Sequence, residues 1–255
     1  MRDTGRDRAD GALTPVRRRS HAGRRDAITA LTVFGVLVTA LGLPATAPAG
    51  AAAAQPPAFS SGSLAGWTVK RFDGRHVTHY ALAAARGGDV LRAVCNDSAS
   101  GLIWKHRIDL DETPVMSWRW KIAHVYPGLD PHAKSGDDYP ARVYVVAGNP
   151  LFPWTLRSLV YVWANGPVTA AKHGPHGTSF YPDPYTSQAE IVALRQGPAG
   201  AGQWVAEQRN VKADLARAFG GHRHIIGAIA VMTDCDDSHT HGRAWYGDIG
   251  LRAGG

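Results

Sequence analysis

Cysteine is nearly missing from this chain of 255 residues: Cys95 and Cys235 are the only two, and no C-x-x-C pair occurs. That excludes a thioredoxin-type redox motif and the common zinc frameworks, which need ligands at set spacings. There is no G-x-S-x-G nucleophile elbow, no G-x-x-x-x-G-K-[ST] phosphate loop and no G-x-G-x-x-G fingerprint. The usual signatures of serine hydrolases, nucleotide hydrolases and dinucleotide enzymes are therefore lacking. Internal repeats and long linkers are missing too. Helical spacing occurs once, in VKADLARAF (residues 211–219), where Val211, Leu215 and Phe219 share a face. Asn210 is its expected N-cap and Gly220 its stop.

The surplus of positive charge belongs to one end. Arg17, Arg18, Arg19, Arg24 and Arg25 precede an apolar stretch of 17 residues (27–43), and an Ala-rich run follows to Ala54. Basic, apolar and small-residue segments in that order describe a cleaved signal peptide, and the adjacent Arg24 and Arg25 point to the twin-arginine route. Residues 1–54 carry eight Arg and four Asp, so cleavage takes the net charge from +7 to +3. What remains has no basic surplus that calls for nucleic acid, and no stable membrane span is expected after cleavage. Residues 55–255 are enough for one exported domain, periplasmic or extracellular. In an oxidising compartment Cys95 and Cys235 are expected to bridge.

Short runs rich in Val, Ile, Tyr and Trp recur, separated by Gly, Pro, Asp and Asn. They predict strands at 67–72, 76–83, 90–95, 102–110, 115–123, 141–147, 159–164, 190–195, 204–209, 225–233 and 244–251. Many short strands with one short helix predict an all-β fold, a jelly-roll-type antiparallel β-sandwich. Alternation then assigns faces. Val143, Val145 and Ala147 are expected in the core with Arg142 and Tyr144 outward. Val160, Val162 and Ala164 are expected in the core with Tyr161 and Trp163 outward. Met116, Trp118, Trp120 and Ile122 inward leave Arg119 and Lys121 outward. If these strands are neighbours, Arg119, Arg142, Tyr144, Tyr161 and Trp163 form one ligand-binding face, basic and aromatic, that prefers an acidic glycan.

Several ordered stretches carry a resemblance: Ser117-Trp118-Arg119-Trp120-Lys121, Gly136-Asp137-Asp138-Tyr139-Pro140-Ala141-Arg142-Val143-Tyr144-Val145, Arg209-Asn210-Val211, residues 233–237, and Tyr246-Gly247-Asp248-Ile249. Together, over residues 59–251, they resemble the bacterial exported family known as domain of unknown function 3047. The resemblance implies an exported β-sandwich and brings no activity. Residues 245–251 are also similar to the last strand of many jelly-roll carbohydrate-binding modules, where an aspartate holds a structural calcium.

The segment MTDCDDSHTHGRAWYGDI (232–249) concentrates the titratable groups. Asp234, Asp236 and Asp237, with Asp248 returning on the next strand, are the expected set for a structural calcium, which takes about six to eight oxygens. The EF-hand spacing is absent, and the competing reading is a polar turn whose aspartates accept backbone N–H bonds. Cys235, His239 and His241 are the weaker zinc alternative. The leading functional reading is an exported envelope protein that binds an oligo- or polysaccharide. The alternative is a polysaccharide-active enzyme on the same fold. A lyase would use Arg142 against a uronate, with Tyr144 or His124 moving the proton. A glycosidase would set Asp138 against Asp248 or Glu190. A third possibility is a purely structural component with its aromatic residues buried.

Overall fold

Apolar and polar residues alternate in some strands and run almost wholly apolar in others, and this difference sets the architecture. The computed structural model describes residues 53–149 and 151–254; the expected signal segment, through residue 52, lies outside them. In chain order the strands are β1 (Trp67–Arg71), β2 (His79–Ala83), β3 (Val90–Asn96), β4 (Ser100–Asp109), β5 (Val115–Ile122), β6 (Ala141–Ala147), β7 (Arg157–Ala164), β8 (Lys172–His173), β9 (Ser179–Pro182), β10 (Ala189–Gln196) and β11 (Val205–Asn210). The helix α1 (Val211–Phe219) follows, then β12 (Ile225–Met232), β13 (His241–Tyr246) and β14 (Gly250–Arg252). They form an all-β sandwich of jelly-roll type. One sheet runs β1-β4-β12-β6-β7-β10-β9-β8 and the other β11-β5-β13-β3-β2, with β14 also paired to β5. Pairing is antiparallel except between β7 and β10. Among the described residues no helix is long and apolar enough to cross a membrane.

In the six-stranded sheet β5 behaves as alternation predicts. Met116, Trp118, Trp120 and Ile122 are buried, while Arg119 is exposed and Lys121 half-buried. The eight-stranded sheet is different, because both of its faces are covered. Val143, Val145, Tyr161 and Trp163 pack against the other sheet, with Tyr161 on Trp118 and Trp163 on Trp120. Val160, Val162, Ile191 and Ala230 pack on the opposite face, beneath chain that includes Leu156, Val168 and Ala171. A strand buried on both faces reads as a continuous apolar run, and alternation then loses its inside and outside.

Two members of the expected ligand face are therefore core residues. Tyr161 and Trp163 are fully buried, and their polar atoms have internal partners: Tyr161 Oη donates to Asp214 at 2.8 Å and Trp163 Nε1 to the Gly197 carbonyl at 3.0 Å. The larger rings fill the space between the sheets, and the smaller Val160 and Val162 take the other side. Asp214 also receives a two-pronged bond from Arg209, so the Arg209-Asn210-Val211 stretch locks α1 to β7. Asn210 caps the helix as expected, its side chain accepting from Ala213 N at 3.0 Å.

The predicted strand at 244–251 is two strands, β13 and β14. Gly247 N donates to the Arg119 carbonyl, and the Arg119 side chain occupies the space a Cβ at residue 247 would need. Cys95 in β3 and Cys235, three residues beyond β12, are bonded with Cα atoms 6.1 Å apart. The bridge ties the two sheets together at one end, packed against Tyr126 and Leu129.

Candidate functional site

The loop after β12 folds back on the segment before β6 because the two strands are neighbours, with Met232 opposite Arg142. Two stretches distant in sequence, residues 136–142 and 233–237, thereby line one cleft of about 200 Å³ on the outer face of the eight-stranded sheet. Its floor is Arg142, which is 1 % exposed. Nε donates to Asp234 Oδ1 at 2.8 Å and Nη1 to Asp137 Oδ1 and Tyr144 Oη, each at 3.3 Å. Nη2 donates to Asp234 Oδ2 and to the Asp137 carbonyl. The guanidinium also lies 4.5 Å over the Tyr139 ring. Every nitrogen is engaged, which is what a charge taken out of water requires.

The rim comes from five connections between strands. Asp138 accepts from the backbone of Asp237 (3.3 Å) and Ser238 (2.6 Å), pinning the aspartate loop. Arg75, between β1 and β2, reaches Asp236 at 2.9 Å and Asp237 at 3.1 Å. Tyr185 donates to Asp237 Oδ2 at 2.8 Å, and Asp183 holds that loop by accepting from Tyr185 N and Thr186 N. Pro153 and Gln188 close one side. The Gln188 amide donates to the carbonyls of Pro153 and Trp154, fixing a turn on which Phe152 (47 % exposed) and Trp154 (68 % exposed) stand out, rings 5.4 Å apart.

The structure regroups the expected residues. Carboxylate oxygens of Asp138, Asp236 and Asp237 lie within 4.8 Å of one another, and among the described residues this trio, rather than the expected calcium set, is the grouping that could share a cation. Arg75 already brings positive charge to two of its members. Asp234 is committed to Arg142, and Asp248 is elsewhere, bonded to the backbone and hydroxyl of Ser60. The zinc alternative disperses: Cys235 is in the disulfide and the exposed His239 pairs with Asp97 at 2.8 Å. Arg142 and Tyr144 point away from the inter-sheet core as expected but are buried beneath the loops. Arg119 alone of the five lies on an exposed face, on the other sheet. The lyase set does not converge, since Arg142 is already neutralised and His124 lies outside the cleft against Tyr126 and His241. None of Asp138, Glu190 and Asp248 lines the cleft, so the glycosidase pair does not face one another across it. Sequence reasoning missed Arg75, Asp183, Tyr185 and Trp154. Trp154 and Tyr185 left one signal, an aromatic residue in a Pro-containing turn outside every predicted strand.

Burial dominates the electrostatics. It pushes the Asp137 carboxyl up to about 8, against the pull of Arg142, and Asp236 to about 6. Asp183 moves upward for the same reason, and burial drives Asp234 up while Arg142 opposes. Burial likewise keeps the hydroxyls of Tyr144 and Tyr185 protonated. An unfolded aspartate releases its proton near pH ~4, so folding takes up protons between there and about pH 8. Stability contributed by these carboxyls is complete below that window and is lost as pH rises through it. Tm is expected to fall by on the order of 5 °C between pH 5 and pH 8, and the fall should shrink in Asp137→Asn. Calorimetry at the two pH values checks this; a Tm that rises with pH contradicts it.

The model for the family described as "Protein of unknown function (DUF3047)" matches residues 65–250. No curated protein matches the chain. Among solved structures, the chain is similar to TmCBM61 in complex with β-1,4-galactotriose, at 11 % identity and TM-score 0.36, over 78 % of this chain and 95 % of that one. It is similar to endoglucanase 3 of family GH12 from Trichoderma harzianum, at 9 % identity and TM-score 0.42, over 74 % and 91 %. A non-crystalline-cellulose-specific carbohydrate-binding module, CBM28, matches at 11 % identity and TM-score 0.41, over 80 % and 96 %.

Proposed function

The chain belongs to the DUF3047 family, and we propose that it is an exported carbohydrate-binding protein whose cleft takes a short uncharged segment of a glycan. The observation that carries this reading is the pairing of two features at one cleft. Carboxyl and hydroxyl groups are held rigidly at the rim by Arg75 and Asp138, and the turn whose Pro153 lines the cleft carries the exposed Trp154 and Phe152 rings. Sugar hydroxyls need fixed polar partners, and pyranose rings need a flat apolar face. Besides the protonated Asp137, five aspartates (Asp73, Asp183, Asp234, Asp236 and Asp237) against two arginines line the cleft, and both arginines are already paired with aspartates, so the cleft offers no free cation to a uronate. The Cys95–Cys235 bridge supports the exported reading.

Titration with a panel of neutral oligosaccharides, followed by calorimetry, tests the proposal. Trp154→Ala is expected to weaken binding about tenfold, roughly 1.4 kcal/mol, with Tm unchanged because the ring is exposed. Equal affinity of variant and wild type would remove Trp154 from the site.

A second reading, glycoside hydrolysis, has one observation in its favour. Asp137 keeps its proton at neutral pH in the same cleft as Asp236 and Asp237, and a glycosidase needs an acid beside a carboxylate. New reducing ends that vanish in Asp137→Asn, with binding retained, would establish it.

A further inference from the structure

We infer that the outer face of the six-stranded sheet is a second binding surface, separate from the cleft, for a linear acidic polysaccharide. Lys121, Trp245 and Arg92 stand opposite one another on three successive strands, β5, β13 and β3. Lys121 Nζ lies 4.2 Å from the Trp245 ring centre and 5.4 Å from that of Trp204, and the Arg119 guanidinium is 4.8 Å over Trp204. Arg243, two residues from Trp245 on the same face, places its guanidinium 5.9 Å from that ring.

Four cations thus stand on one face, and none of them is in an ion pair among the described residues. Outward positions on the five strands include no carboxylate. Glu207 turns to Trp120 and Arg195, and with Asp89 and Asp248 it lines a depression that, of the four cations, only Arg119 shares. The Arg92 Nε is buried without a hydrogen-bond partner. Like charges gathered without counter-charge raise the energy of the free surface, and a polyanion relieves that cost.

The geometry selects among polyanions. Cations already lie over both indoles, in competition with a nucleic-acid base that would stack there. The large exposed apolar side chains, Val69, Leu151, Phe152 and Trp154, all lie elsewhere, so nothing here would insert into a lipid surface. Lys121 and Arg92 are two strands apart, about 10 Å, a step commensurate with an extended disaccharide that carries its acidic groups along one edge. The partner is therefore a chain of uronate or similarly acidic sugars.

The test is retention of the purified chain on immobilised polygalacturonate, with amylose, single-stranded DNA and phosphatidylglycerol vesicles as separate arms. Retention on polygalacturonate that weakens with salt is expected. It should fall at least tenfold in Lys121→Glu/Arg243→Glu and, less steeply, in the neutral pair Lys121→Gln/Arg243→Gln. Binding of neutral oligosaccharides in the cleft should be unchanged in both, which separates this surface from the cleft reading. No retention of the wild type, retention unaffected in both pairs, or equal retention by DNA or vesicles would overturn the inference.

Discussion

Replacing Arg142 with methionine is expected to destabilise the fold by about 3–5 kcal/mol, because it strands two buried carboxyls that now share one guanidinium. The apolar stem is preserved in that substitution, so the loss reports charge rather than volume. Asp137 and Asp234 would escape the penalty by taking up protons, and burial already pushes both upward. The destabilisation should therefore be smaller at pH 5 than at pH 8. Urea unfolding at the two pH values measures it. An equal loss at both would mean that Arg142 acts through packing alone.

The disulfide carries an effect of similar size. Cys95 and Cys235 are 140 residues apart in sequence, and closing so long a loop stabilises by about 5 kcal/mol in the chain-entropy model. Cys95→Ala/Cys235→Ala is expected to lower Tm by roughly 10–20 °C. Since whole domains are stable by only about 5–15 kcal/mol, the bridge is a large share of the total. A Tm drop of only a degree or two in the double variant would show that the tie between the sheets adds little.

The fold and the cleft are legible in the sequence wherever a local pattern has a single solution. The helix at 211–219 with its Asn210 cap is readable because cap, spacing and stop all sit within eleven residues. The inward set of β5 is readable because its other face carries Arg119 and Lys121. The stretch Leu159–Ala164 offers no polar side, so alternation has no means of telling the inter-sheet face from the loop-covered one. It consequently puts Tyr161 and Trp163 outside, where the fold buries them between the sheets. The two halves of the cleft, residues 136–142 and 233–237, each stand out as clustered aspartates. Their meeting depends on the pairing of β6 with β12, a contact across about ninety residues that no local signal announces. Arg75, Asp183 and Tyr185 come from loops without periodicity. Arg75 and Tyr185 converge on Asp237 only in the assembled fold, with Asp183 holding the Tyr185 loop in place.

Whether the cleft holds a neutral glycan segment is read out by titrating the isotope-labelled chain with neutral oligosaccharides and following amide and indole resonances. Saturable shifts are expected at Asp138, Tyr185 and Ser238 and at the Trp154 indole, with Lys121 and Trp245 still. Resonances of the cleft that do not move while those of the opposite sheet do would contradict it.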